Sequence, residues 1–152
     1  SEIGMSGSKS VGDGDIRRDF PGGWGGDRNN AFTKAGRTEE QKQFFNFTSK
    51  LFNWRKSKSV IHNGKTTHYA PENNVYVYFR YNNPSDSQMA KQNETVMVVI
   101  NNNAEKQTFK TNRFAENIQN YQSGQDILSG KTIDLKNDIV IEGKSVLVLE
   151  LK

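Results

Sequence analysis

Four aspartates, Asp13, Asp15, Asp19 and Asp27, stand with Arg17, Arg18 and Trp24 in the glycine-rich stretch GDGDIRRDFPGGWGGDRNNAF, residues 12–32. Three chemistries use such residues. Carboxylates can surround calcium, a carboxylate pair can cleave a glycosidic bond, and a glycine loop can cradle phosphate. A calcium-binding helix-loop-helix wants an oxygen where Arg17 stands and a closing glutamate, so that arrangement is excluded and an irregular calcium site stays open. Glycoside hydrolysis needs one protonated acid and one ionised partner held across the bond. Four acids on a flexible loop lack the rigid support this requires. The run GGWGG has no Gly-Lys-Ser/Thr after it, which leaves a phosphate loop unsupported. His62 and His68 raise the question of zinc. With Asn63-Gly64 read as a two-residue hairpin turn, however, His62 faces Lys65, His68 lies beyond that pair, and no third ligand is evident. No nucleophile, base and orienting group stand out as a triad. The residues therefore assign no catalytic group, no metal and no cofactor.

The elements that must position these residues divide the chain in two. Glycines and Pro21 keep residues 12–32 out of helix and strand, which makes the stretch a long shaped loop. In TEEQKQFFNFTSKLFNWRKSK, Thr38 and Gln41 have the spacing of a capping box, with acids in the first turn and Lys50, Arg55 and Lys56 at the far end. Both charge placements suit a helix dipole, so the spacing predicts a helix over about 39–56. Its apolar residues Phe44, Phe45, Phe47, Leu51, Phe52 and Trp54 cover a wider face than a solitary surface helix needs. Such a helix wants neighbours on two sides. From Ser59 onward the period changes to alternation: VIHNGKTTHYA, NVYVYFRY, ETVMVVIN, KQTFKT, QDILSG, KTIDL, DIVIEG and SVLVLELK follow with turn residues between them. Seven or eight short strands without intervening helices predict an antiparallel β-sandwich from about residue 59 to the end. The stretch TNRFAENIQNYQSG is the one irregular connection, with room for a single helical turn.

A chain of 152 residues with 33% hydrophobic residues fits one domain or a small domain with an extension. Residues 1–40 contain few aliphatics, and residues 94–152 are rich in Val, Ile and Leu. Cysteine is absent, which rules out a disulfide framework and a thiolate metal site. The net charge of +4 is dispersed among 17 acids, and no basic stripe accompanies it, so a nucleic-acid partner is not expected. No membrane span or signal peptide is present in the sequence, and no membrane partner is expected.

The runs SEIGMSG, GDIRRDFPGGW, NAFT, GRTEEQKQFFNFTSKLFNWRKSKSVIHNGK, HYAPENNVYVYFRY and VMVVINNN together resemble the C-terminal end of a neopullulanase or cyclomaltodextrinase. These are glycoside hydrolases of the alpha-amylase superfamily, and the resemblance is to the Bacteroides starch-utilisation type. It implies that residues 1–58 are the final loop and last helix of a catalytic (β/α)8 barrel and that residues 59–152 are the C-terminal antiparallel β-sandwich. The chain would then be mainly β, its sandwich preceded by one α-helix and a long Gly-rich loop left over from the barrel. A complete barrel takes roughly 250 residues. The resemblance thus makes this chain a fragment, with the catalytic carboxylates upstream of Ser1 and none among its own residues. What it carries over is a substrate contact: Asp13 and Arg17, four residues apart, would reach distal glucose units, and Trp24 would offer a stacking face. SEIG resembles the tail of the family's Tyr-Gly-x-Glu segment; around Asp13 and Arg17 many cyclomaltodextrinases read Asp-Pro-Asp-Cys-Arg-Arg and continue with a different tail, and DFPGGW favours the Bacteroides type.

Two functions from different classes follow. In the first, the chain is the noncatalytic end of a retaining α-glucan hydrolase, its partners being its own upstream barrel and, in the full enzyme, starch oligosaccharides, pullulan or cyclodextrins. In the second, the sandwich is itself a starch-binding module, with Tyr76 and Tyr78 as a stacking platform; the plainer alternative is that the two rings cover the helix or the barrel. A barrel-facing helix without its barrel is expected to make the chain self-associate or order its loop against a neighbour. The resemblance alone implies a periplasmic location.

Overall fold

The hydroxyl of Thr38 accepts from the Gln41 amide N–H at 3.2 Å while the Gln41 side chain accepts from the Thr38 N–H at 3.0 Å, closing the anticipated capping box. The helix it starts, α2, runs Glu39–Lys56, with Glu39 and Glu40 in its first turn and Arg55 and Lys56 in its last. The computed structural model describes residues 2–82 and 94–152; Ser1, the first residue of the SEIG segment, lies outside them. The chain divides into two compact units, Ser1–Asn53 and Trp54–Lys152.

The first unit contains one further helical turn, α1 (Asp13–Ile16), and otherwise loops. Ile3 and Ala31 are its buried apolar residues. Gly4 has φ +69, and a Cβ there would stand 2.2 Å from the Phe44 ring, so only glycine lets the chain pass this close to the helix. Residues 20–37 wire themselves together. Ala31 N–H donates to the Pro21 carbonyl at 2.9 Å, Arg37 Nε donates to the Ala31 carbonyl at 2.8 Å, and the Arg37 guanidinium lies 3.4 Å over the Phe45 ring.

The second unit is the sandwich. After a short helix, α3 (Ser59–Asn63), come β1 (Lys65–Glu72), β2 (Val75–Asn82), β3 (Glu94–Asn101), β4 (Gln107–Phe109), a 3-10 turn at Thr111–Phe114, α4 (Ala115–Ile118), β5 (Ser123–Asp126), β6 (Thr132–Asp134), β7 (Ile139–Ile141) and β8 (Ser145–Leu151). Six strands form one antiparallel sheet in the order β1-β2-β3-β8-β5-β6, and β4 pairs with β7 in a second. Alternation supplies the core. Val75, Val77 and Phe79 of β2, Met97 and Val99 of β3, and Leu149 and Leu151 of β8 meet Ile139 and Ile141 of β7, with Phe114, Ile118 and Leu135 closing the layer. The anticipated mainly-β antiparallel architecture is present, including the irregular connection at 111–118.

Three expectations are corrected. Residues 12–32 are not free of helix: Asp13–Ile16 form the single turn α1, closed where the Arg17 N–H donates to the Asp13 carbonyl at 3.1 Å. Asn63-Gly64 is not a hairpin turn: Asn63 ends α3, Gly64 N–H donates to the Val60 carbonyl at 3.1 Å, and the hairpin between β1 and β2 turns instead at Asn73-Asn74, both with positive φ (50° and 54°). Two left-handed residues in a two-residue loop suit the twist of the flanking strands, and asparagine tolerates that conformation. Residues 59–63 become helical because β2 holds them that way. Arg80 donates to the carbonyls of Val60 (3.4 Å) and Ile61 (2.9 Å), and Val60 is fully buried. The expected pairing of His62 with Lys65 therefore does not exist. QDILSG is also not a strand throughout. Strand β5 ends at Asp126, whose carboxylate accepts from the N–H groups of Leu128 (3.3 Å) and Ser129 (2.9 Å) and from the Ser129 hydroxyl (2.6 Å), bending residues 127–130 into a turn.

Candidate functional site

Asp13 and Arg17 are brought together. One turn of α1 separates them, and the Arg17 guanidinium lies 3.6 Å from Asp13 Oδ2, with Lys9 bonded to the other oxygen of the same carboxylate. The pair is exposed to solvent, so its mutual attraction is weak and both groups can take new hydrogen-bond partners. Trp24 sits seven residues further on in a separate turn, its ring exposed (68%). Its backbone is fixed by Asp27, whose Oδ2 accepts from the N–H groups of Gly22 at 2.7 Å and Trp24 at 3.1 Å. Asp13, Asp15 and Asp27 thus serve separate local roles. Asp15 accepts from Ser8 N–H at 2.6 Å and pairs with Arg18. Among the described residues, no group of three His, Asp or Glu side chains is placed to hold a metal ion.

The two histidines lie on different elements. His62 Nε2 is 3.1 Å from the Arg55 carbonyl, whereas His68 on β1 stands opposite Tyr78 with its ring 6.3 Å from that of Tyr76. Tyr76 and Tyr78 share the face of the sheet away from the core, their ring centroids 5.7 Å apart and tilted by 33°. Both are half-buried, and burial raises the Tyr78 hydroxyl above its ordinary pKa, assisted by Tyr76 and opposed by Arg80.

On that same face Glu150 of β8 receives two donors. Lys58 Nζ lies 2.7 Å from Glu150 Oε1, and the Trp54 indole N–H bonds to the same carboxylate. Burial works against the charged form of Glu150, but the bonds from Lys58 and Trp54 prevail and hold its pKa below the usual carboxylate range. The end of α2 is thereby latched to the centre of the sheet.

The structure also shows a groove that sequence reasoning missed, at the end of the sandwich where the β1-β2 turn approaches β4 and the 3-10 turn. Its volume is about 330 Å³. Val75, Val77, Phe109 and Phe114 form an apolar floor, and Asn73, Gln107, Lys110 and Asn112 stand among the polar residues of the rim. Arg113 braces one wall: it pairs with Glu72 at 2.8 Å, donates to the Ala70 carbonyl at 2.9 Å, and lies 5.9 Å over the Tyr69 ring. Tyr69 packs edge-on against Phe114 (4.8 Å), and its hydroxyl donates to Glu116 at 2.7 Å. Burial, then that bond and the Glu116 charge, push the Tyr69 pKa up to about 12, so the phenol keeps its proton. The only sequence signal for this groove was the irregular TNRF stretch, whose arginine finds its partners 41 to 44 residues upstream.

Residues 66–150 match the family model of the cyclo-maltodextrinase C-terminal domain. Among solved structures, an Anoxybacillus alpha-amylase is similar over 99% of this chain and 27% of its own, with 17% identity and a TM-score of 0.63. AmyP in complex with maltose is similar over 75% of this chain and 21% of its own (17% identity, TM-score 0.59). A variant of AmyP in complex with maltotriose is similar over 76% and 22% (18% identity, TM-score 0.58). This chain therefore spans about a quarter of the length of those proteins, and at such identities the likeness is one of fold.

Proposed function

The chain belongs to the cyclomaltodextrinase C-terminal domain family, whose model covers more than half of it, and from that premise we propose that it is the noncatalytic C-terminal part of a retaining glycoside hydrolase acting on α-glucans. The substrates would be starch oligosaccharides, pullulan or cyclodextrins, and the chain packs against and stabilises the enzyme's catalytic (β/α)8 barrel. One observation carries this reading. Helix α2 has no buried residue, and Phe44 (46%), Phe47 (45%) and Phe52 (61%) are exposed along it. An 18-residue helix with three exposed phenylalanines needs cover, and the end of a barrel enzyme supplies it. The maltose and maltotriose bound by AmyP support the class of substrate. In the assembled enzyme Arg17 donates to sugar hydroxyls, Asp13 orients it, and Trp24 offers its face to an apolar sugar surface.

Incubation of the purified chain with maltotriose, pullulan and β-cyclodextrin should release no reducing ends. Light scattering of the same sample should show association rising with concentration, abolished in a Phe44→Ser, Phe47→Ser, Phe52→Ser variant. Hydrolysis by the chain would overturn the noncatalytic role, and a monomer at every concentration would remove the case for a covered helix.

A second reading, a starch-binding sandwich, is favoured by the adjacent rings of Tyr76 and Tyr78. Their partial burial weakens it, because a stacking platform presents its faces to solvent. Loss of maltooligosaccharide binding on changing both to alanine, with the thermal transition intact, would establish it.

A further inference from the structure

We propose that the groove between the β1-β2 turn, β4 and the 3-10 turn at Thr111–Phe114 is a binding site for the end of a neutral oligosaccharide. It rests on the glucan reading above only for the identity of the sugar; the site itself is argued from its chemistry.

The volume of about 330 Å³ lies at the lower end of the roughly 300–1,000 Å³ typical of small-molecule sites. Its arrangement matches a pyranose ring, which has an apolar face and a hydroxyl-bearing edge. Phe109 and the two valines offer the apolar floor. Around it, the side-chain amides of Asn73, Gln107 and Asn112 have no protein hydrogen-bond partner among the described residues, and each carries both donors and an acceptor. Amides suit hydroxyls, which both donate and accept. Glu72 and Arg113 neutralise one another, which leaves Lys110 as the one uncompensated charge among the described lining residues; it disfavours a cation and offers an anion only a single charged contact. A peptide adding itself as a strand would have only the three residues of β4 to pair with. The wall is firm, because Arg113 is held by Glu72, the Ala70 carbonyl and the rings of Tyr69 and Phe114. Binding therefore requires little reorganisation, and for so open a groove an affinity on the order of 1 mM is expected.

The test is a backbone and side-chain amide NMR titration of the full chain with maltotriose and, separately, with cellotriose. Saturable shifts centred on the side-chain amides of Asn73, Gln107 and Asn112 and on Arg113 Nε support the site. A Gln107→Ala, Asn112→Ala variant, altered only at residues outside the core, should weaken binding about tenfold while leaving the thermal transition unchanged. Groove shifts with cellotriose but not maltotriose would keep the site and sink the α-glucan reading. No groove shift with either sugar at tens of millimolar, or shifts confined to Tyr76 and Tyr78, would overturn the proposal.

Discussion

Asp126 shows how much one carboxylate can decide. It is 2% exposed, and its two oxygens accept from Leu128, Ser129 and Val148 backbone N–H groups and from the Ser129 hydroxyl. Burial alone would raise its pKa; the hydrogen bonds from Ser129, then Val148 and Leu128, outweigh it and lower the value. A carboxyl whose folded pKa lies below its unfolded one stabilises the fold at all pH above the unfolded value and loses that contribution as pH falls through the folded one. Glu150, shifted in the same direction, behaves likewise. Thermal melts between neutral and strongly acid pH should therefore show stability falling across and below the ordinary carboxylate range. Asp126→Ala should cost about 2–4 kcal/mol at neutral pH, because it leaves donors buried without an acceptor. It should also flatten the acid limb of the curve; a limb as steep as that of the unaltered chain would assign the pH response elsewhere.

At the scale of elements, the hairpin between β1 and β2 and the start of α2 make opposite demands on their residues. Asn73 and Asn74 accept left-handed backbone at low cost. Asn74→Ala should lose about 0.5–1 kcal/mol in urea unfolding, whereas Asn74→Gly should stay within a few tenths of the original. Equal effects of alanine and glycine would mean that the side chain, bonded to Asn103 at 3.3 Å, matters more than the backbone. Thr38→Ala removes an N-cap acceptor and should cost about 1 kcal/mol of helix stability. The cap was readable in sequence because both partners lie within one turn, strands such as β2 and β7 because burial alternates along them, and β3 because Thr95 to Val99 form a continuous, largely apolar and β-branched run. The Asn63-Gly64 hairpin was misread for the converse reason. A dipeptide that favours a turn cannot show that Arg80, 16 residues downstream of Gly64, will take the carbonyls of Val60 and Ile61 and fix a helix in front of it.

For the whole molecule, the asymmetry of burial is the governing fact. The contiguous apolar core, from Val75 to Leu151, lies within the Trp54–Lys152 unit, as does the Glu150 latch with Trp54 and Lys58. A chain beginning at Trp54 should keep a cooperative thermal transition within a few degrees of the full chain, measured by near-ultraviolet circular dichroism. Loss of that transition would make residues 1–53 part of the folding unit.

What the sequence determined by itself was local or periodic: the cap and dipole charges of α2, the β pattern of the sandwich strands, and the motifs that carry the family resemblance. Tertiary structure alone decided the strand order β1-β2-β3-β8-β5-β6, the two donors on Glu150 and the groove walled by Arg113. Each of these joins groups far apart in the chain, as Glu150 joins Trp54 across 96 positions. Hydrogen bonds and side-chain periods within a few residues leave a mark in the order of amino acids, whereas a partner at that distance is chosen by how sheets pair and cores close.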